Sequence, residues 1–312
     1  LHVRSRRQRQ MCIRDRITSE PMKIWSDNRM KYVTLNNGIK MPMVGYGVFQ
    51  IQDLELCEQC VYDALDVGYR LIDTAAAYFN EEAVGKAIKK SDVPREELFI
   101  TTKPWIQDSG YDNTLKAFET SRKKLGLDYL DLYLIHHPFG DYYDSWRAME
   151  KLQKEGFIRT IGVCNFSEDR LVDLCLNNEI KPSINQIEIH PFHQQQAARN
   201  VMKEYQVQPE AWGPLSEGQK DIFNNKILTK IATKYEKSVA QVILRWQIQQ
   251  DIVVIPKTVH KERMQENIDI WDFKLKEQDM KTISDMDMGY SEIINHRSAC
   301  TAKWLNGWKI HE

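Results

Sequence analysis

Between residues 44 and 256 a short β-rich run alternates, eight times over, with a longer segment of amphipathic helical period, and few folds accommodate that rhythm. The runs are Val44–Val48, Arg70–Asp73, Leu98–Lys103, Leu130–His136, Arg159–Cys164, Ile184–Glu188, Pro209–Trp212 and Ile252–Pro256. The helical segments include Leu54–Val67, Glu81–Lys90, Tyr111–Leu125, Ser145–Glu155, Glu168–Asn177, Gln194–Tyr205 and Ser238–Gln249. Eight strand–helix pairs predict an α/β fold of the (β/α)8 TIM-barrel type. A doubly wound sheet has the same alternation, but its dinucleotide fingerprint needs three spaced glycines after the first strand. Here Gly45-Tyr46-Gly47 lacks the third glycine and lies within a strand.

Two features flank the repeat. Lys31–Leu35 and Ile39–Met43 surround Asn36-Asn37-Gly38, and Asn-Gly between alternating segments signals a tight hairpin whose turn needs positive φ. It is expected to plug one end of the barrel. The tail from about Asp285 to Glu312 is aromatic-rich and irregular, and is expected to fold as a loop over the barrel mouth.

The first residues stand apart. Leu1–Arg16 is arginine-rich, nearly without acids and without helix or strand period. A transit peptide or a basic nucleic-acid-binding arm has such a composition. The reading adopted for residues 1–29 is a disordered or non-native extension, since Met11–Arg16 reads like translated vector sequence, and Met22 and Met30 are alternative starts. The folded domain is expected over 30–312.

Lys and Arg (43) balance Asp and Glu (44), for a net charge of −1, which leaves no basic field to steer nucleic acid. No apolar run approaches the ~18 residues of a membrane span. The cysteines at 12, 57, 60, 164, 175 and 300 show no disulfide framework. Cys57 and Cys60 form a C-x-x-C without a second pair at zinc spacing, and Cys57 recurs with Leu54, Val61, Ala64 and Leu65 on one helical face as a core residue. A reducing cytoplasm fits this usage, and no metal site is expected.

Barrel enzymes carry their chemistry at the C-terminal ends of the strands. Here the second, third and fourth runs end at Asp73, Lys103 and His136: an acid, a cation and an imidazole on consecutive strands. A structural salt bridge would account for Asp73 and Lys103 alone. Tyr78, five residues after Asp73 in a loop before a helix, adds a phenol that can reach back over the mouth. An ammonium favours the phenolate and lowers the tyrosine pKa from its ordinary ~10, giving an acid able to protonate a carbonyl oxygen. His136 would orient that carbonyl. Later runs end at Cys164-Asn165, at Gln186 and Glu188, and at Trp212. The eighth leads into Lys257-Thr258 with Arg263 beyond, and these cations would suit a phosphate, or form a solvated basic patch. A metal-dependent hydrolase using His136, Glu188 and His190 is the enzyme alternative, disfavoured because no H-x-H pair marks an early strand.

From Tyr32 to about Asp287 the chain resembles the aldo-keto reductase superfamily. The resemblance rests on GYRLIDTAAAYFNEEAVGKAI, LFITTKPW, LDYLDLYLIHHP, IGVCNF, INQIEIHP, EAWGPLSEG, SVAQVILRW and IPKTVHKERMQEN, in the family's order. The opening GYGVFQ and the Trp of EAWGPL place it nearest the bacterial group with 2,5-diketogluconate and methylglyoxal reductases. The resemblance implies that Asp73, Tyr78, Lys103 and His136 are the catalytic four and that NADPH is the cofactor. Lys257, Thr258 and Arg263 would hold the 2′-phosphate, with Glu266 and Asn267 near adenine. Asn165 and Gln186 would bind the carboxamide, and Trp212 would stack on the nicotinamide. Phe49, Trp105 and His136 are the expected substrate contacts, with Trp304 and Trp308 as further walls. The expected activity is NADPH-dependent reduction of small aldehydes and ketones by a monomer, with a catalytically silent NADPH-binding subunit as the alternative. The family pattern has serine where Cys164 stands and tryptophan where His137 stands. A thiol is a weaker donor, and an imidazole changes the pocket's shape and polarity.

Overall fold

A computed structural model describes residues 30–312; the extension at 1–29 lies outside the described residues. A hairpin of β1 (Tyr32–Thr34) and β2 (Lys40–Pro42) comes first. Strand β3 (Gly45–Gly47) is followed by α1 (Leu54–Val67), then β4 (Leu71–Asp73), α2 (Glu81–Lys90), β5 (Phe99–Thr102) and α3 (Tyr111–Leu125). The middle of the chain is β6 (Leu130–Ile135), α4 (Tyr142–Lys154), β7 (Ile158–Cys164), α5 (Glu168–Asn177), β8 (Ile184–Glu188) and α6 (Gln196–Tyr205). It ends with β9 (Gln208–Trp212), α7 (Lys226–Tyr235), α8 (Val239–Ile248), β10 (Val253–Val254), α9 (Lys261–Ile268), α10 (Glu277–Ser284) and α11 (Ala299–Gly307).

Strands β3 to β10 form one parallel sheet in strict chain order. A parallel bridge between Val44 and Val254 closes it, with Val254 N–H donating to Met43 O at 3.0 Å. The sheet is therefore a (β/α)8 barrel, and the doubly wound alternative, which needs a reversal of strand order, is excluded.

Side chains alternate between the inside and outside of each strand. Leu71, Phe99, Leu132, Leu134, Ile184 and Val253 fill the interior near its N-terminal end, where Leu35 and Met41 of the hairpin pack onto them. The same period turns Asp73, Lys103, His136, Gln186 and Trp212 inward at the other end. The hairpin is thus the plug that the sequence suggests, tied down by Asn36 Nδ2 to Pro182 O (2.9 Å) and Asn37 Nδ2 to Thr160 Oγ1 (2.6 Å). Its turn differs in kind. Only Gly38 has positive φ (83°), and Gly38 N–H donates to Leu35 O. This is a type I turn closed by a left-handed glycine, since Asn37 has its side chain anchored on β7 and keeps an ordinary backbone.

Helix ends follow local capping. Asp53 caps α1 by accepting from Glu55 N and Leu56 N, both at 3.0 Å, and Gly68 ends it in the left-handed region. Helix α4 starts at Tyr142, three residues before the periodicity suggests, because Asp141 caps it. Helix α6 starts at Gln196, two residues late, because the Gln194 amide is bonded to Pro191 O, Ile283 O and Ser284 O. Cys57 and Cys60 are buried in the α1 core, as expected for Cys57. The tail is not wholly irregular: it contains α11, and Trp105 Nε1 donates to Trp308 O at 2.8 Å, which draws it over the mouth.

One close approach fixes the helix that follows Tyr78. A Cβ on Gly85 of α2 would stand 2.4 Å from Leu125 O at the end of α3. Gly85→Ala is expected to lower folding stability by about 1–3 kcal/mol, because backbone must move to admit it. Chemical denaturation measures this, and a change within error would mean that α2 and α3 separate freely.

Candidate active site

The loop after β4 places Tyr78. A single 3₁₀ turn, Ala76–Tyr78, follows the strand, with Ala76 N–H bonded to Lys103 O at 3.0 Å. Phe79 then takes φ 58°, a left-handed conformation costly for a phenylalanine. Asn80 holds the strained loop in place: it accepts from Thr74 Oγ1 (2.8 Å) and donates to Val48 O (3.0 Å) and Ile51 O (3.3 Å).

Lys103 and Asp73 form an ion pair at 2.6 Å inside the barrel, with relative exposures of 0% and 2%. Lys103 Nζ also donates to Thr74 O at 3.1 Å, and Gln186 Nε2 donates to the free oxygen of Asp73 at 2.9 Å. Burial pushes the lysine pKa down, but Asp73, Tyr78 and Cys164 more than reverse this, so Lys103 stays charged.

The ammonium lies 5.1 Å from the Tyr78 ring centroid. Here the electrostatics correct the simpler sequence argument. Burial raises the tyrosine pKa, Lys103 pulls it back and Asp73 raises it again, and the net shift is upward. The resting phenol is therefore held neutral. The ammonium acts on the difference between phenol and phenolate, and so favours the anion only as a proton leaves.

His136, after β6, lies edge-on to Tyr78 with ring centroids 5.6 Å apart. Burial, then His137, Lys103 and His296, hold its pKa well below the ordinary value. A neutral imidazole can donate one N–H to a carbonyl oxygen.

These groups open into one cavity of about 600 Å³ at the C-terminal end of the barrel, within the usual range of small-molecule sites. Asp73, Tyr78 and His136 line it, with Phe49, Trp105, Trp304 and Trp308 as aromatic walls. Asn165, Gln186 and Trp212 also line it, as do Lys257, Thr258 and Arg263. Asn165 sits at φ 61°, a left-handed position that asparagine tolerates. Its amide bridges two strands, donating to His136 O at 3.1 Å and accepting from Trp212 Nε1 at 2.8 Å. Cys164 Sγ lies 3.8 Å from Gln186 Oε1, and burial keeps it a thiol.

Two residues are not brought in. Glu266 lies one turn beyond Arg263 along α9 and lines a separate, larger cleft of about 1240 Å³ beside the hairpin. Asn267 is buried and lines neither cavity. Glu188 and His190 of the hydrolase alternative are committed elsewhere: Glu188 contacts His190 Nε2 at 2.9 Å and accepts from Ser291 Oγ at 2.6 Å. Among the described residues no group of three or more His, Cys, Asp and Glu is arranged to hold a metal.

The tail reaches the cavity with Trp304 and Trp308 as the sequence suggests, but other lining residues of the tail and of the loop after β9 were not foreseen. Ile293, Ile294 and His296 line the cavity, as do Leu215 and Glu217. His137 lines it too and stacks on His296 at 5.2 Å. Burial lowers the His296 pKa to about 4, so this wall is polar and uncharged. Only the aromatic content of the tail hinted at such a role.

The profile described as the Aldo/keto reductase family matches residues 44–287. A protein of Bacillus subtilis (strain 168) described as glyoxal reductase is 52% identical over 252 residues, covering 80% of this chain and 91% of that protein. The methylglyoxal reductase DkgA of Escherichia coli (strain K12) is 45% identical over 260 residues, covering 82% of this chain and 94% of its own. Among solved structures, a Bombyx mori aldo-keto reductase in complex with NADP superposes with a TM-score of 0.82 at 34% identity, covering 88% of this chain and 97% of that one.

The buried pair makes a stability prediction. Lys103→Met leaves the Asp73 carboxylate buried and unpaired, and is expected to cost about 3–5 kcal/mol. The double variant Asp73→Asn/Lys103→Met should cost less than the sum of its single variants in urea denaturation. Simple additivity would mean that the two charges do not depend on each other.

Proposed function

The chain belongs to the aldo/keto reductase family, and from that premise we propose that it reduces small aldehydes and ketones to alcohols with NADPH, α-oxoaldehydes such as methylglyoxal included. The observation that carries this reading is the single cavity in which a neutral phenol beside a buried ammonium faces a neutral imidazole, while two further cations, Lys257 and Arg263, line the same space.

The residues fit the cofactor. Lys257 and Arg263, with Thr258 between them in sequence, offer charged and hydroxyl donors suited to a 2′-phosphate, which is the difference between NADPH and NADH. The Trp212 indole, held by Asn165, offers a flat face for an aromatic ring. When bound, NADPH supplies the hydride for the carbonyl carbon.

Tyr78 donates its proton to the carbonyl oxygen. His136 holds that oxygen by its N–H and remains neutral. Lys103 stabilises the phenolate that Tyr78 becomes, and Asp73 holds Lys103 charged and in place. Trp105 and the tail exclude water from the site. We place the protein as a monomer in the cytoplasm, in keeping with five free cysteines and no helix long and apolar enough to cross a membrane among the described residues.

Tyr78→Phe is the decisive variant. NADPH oxidation followed at 340 nm with methylglyoxal should fall at least about 100-fold, the lower range of general-acid contributions, while NADPH still binds. Equal rates in the two proteins would sink Tyr78 as the acid, and a wild type that binds NADPH but reduces no aldehyde would point to a silent binding subunit. Lys257→Ala/Arg263→Ala should weaken NADPH binding by about 10–100-fold, at roughly 1.5–3 kcal/mol for bonds to charged groups, and leave NADH binding nearly unchanged. Equal losses for both nucleotides would remove these residues from the 2′-phosphate site.

A further inference from the structure

Glu210 is a second carboxyl group beneath the Asp73–Lys103 pair that the reaction above does not use. It stands on β9 two residues before Trp212, so it shares that residue's inward face, and it is fully buried. Its Oε2 accepts from Gln186 Nε2 at 3.1 Å, the same nitrogen that donates to Asp73 Oδ2 at 2.9 Å. One amide nitrogen therefore bridges two carboxyl groups with its two hydrogens. Glu210 Oε1 is buried without a hydrogen-bond partner. The titratable, charged and hydrogen-bonding groups facing it are Asp73 from β4, Lys103 from the end of β5, Cys164 from β7 and Gln186 from β8. On its other side β10 presents Val253, which is apolar.

Two ionised carboxylates and one ammonium would leave this dry layer with an uncompensated negative charge, at a cost that burial makes large. The unpartnered oxygen makes the same point, since an anionic oxygen needs donors and a carboxylic acid needs fewer.

We propose that Glu210 is a positioning residue that carries a proton in the working enzyme and, through Gln186, keeps the Asp73–Lys103 layer at zero net charge. The inference rests on Tyr78 as the proton donor: its phenolate then develops beside one ammonium and one carboxylate, not two. Burial and Asp73 push the Glu210 carboxyl up to about 8, against Gln186 and Lys103. Below that pH the layer is neutral and Tyr78 can transfer its proton. As pH rises through that range Glu210 ionises, the added negative charge opposes the phenolate, and reduction slows.

The test compares wild type with Glu210→Gln, which keeps shape and an acceptor for Gln186 but cannot ionise. The wild-type kcat/KM for methylglyoxal reduction should fall about tenfold between roughly pH 7 and pH 9, and the variant should show little of that fall. Infrared spectra of protein with 13C-labelled glutamate should show a protonated carboxyl band near neutral pH that disappears on the same rise and is missing from the variant. An identical pH decline in both proteins, or a neutral-pH wild-type spectrum lacking the band that Glu210→Gln removes, overturns the proposal. If Glu210→Gln does not fold, Glu210→Asp replaces it: a decline displaced in pH supports the proposal, and one at the wild-type pH overturns it. A wild type that reduces no aldehyde would fail the functional reading, while the infrared band would still report on Glu210.

Discussion

The contact between Lys103 and Asp73, 2.6 Å inside the barrel, is the constraint that the rest of the site depends on. Each ion loses its hydration there, at several kcal/mol, and a contact of that kind persists only when the remaining donors and acceptors are satisfied. The structure satisfies them from several strands. Gln186 on β8 supplies the second oxygen of Asp73, the Thr74 carbonyl takes a hydrogen of Lys103, and Cys164 on β7 sits against the Gln186 carbonyl. Beside this layer Trp212 on β9 is joined through Asn165 to the backbone of His136. A barrel lets strands distant in sequence meet at one level of one interior, and a charged pair at its centre needs that.

The two ends of the interior answer to opposite demands. Leu71, Phe99, Leu132 and Leu134 fill the end that the hairpin plugs with Leu35 and Met41, so water has no route to the ion pair from below. The other end is polar and opens to the cavity, and the tail covers it through Trp308 O on Trp105 and Ser291 on Glu188. Of these two anchors, Trp105 is itself a wall of the cavity, while Glu188 holds the tail from outside that wall.

How much of this was legible in the sequence follows from which physical rule each feature obeys. The barrel was, because strand and helix periods are local and repeat eight times. The inward set Asp73, Lys103 and His136 was, because a period of two along a strand fixes which residues share the interior. The eighth strand shrinks to Val253–Val254 and the hairpin turn changes type, since both are decided by partners far along the chain. Glu266 was expected at the cofactor site, but it lies one turn beyond Arg263 along α9 and lines the separate cleft. His296 was invisible because it belongs to a tail with no period, and meets the cavity walls His137 and Trp212 only across more than eighty residues of sequence.

The electrostatics of Tyr78 show why a pKa argument read from sequence can have the wrong sign. Proximity to an ammonium argues for a lowered pKa, and that effect is present. Burial is larger, and only a folded interior sets its size. The two do not conflict in a catalyst that donates a proton. A phenol kept neutral at rest is fully loaded for transfer, and the nearby ammonium gains strength in the same dry surroundings that raise the resting pKa. The barrier is lowered by what changes between the neutral and the ionised phenol. Lys103 can supply that difference only while the layer around it holds no excess negative charge, which ties the acidity of Tyr78 to every carboxyl group buried beneath it.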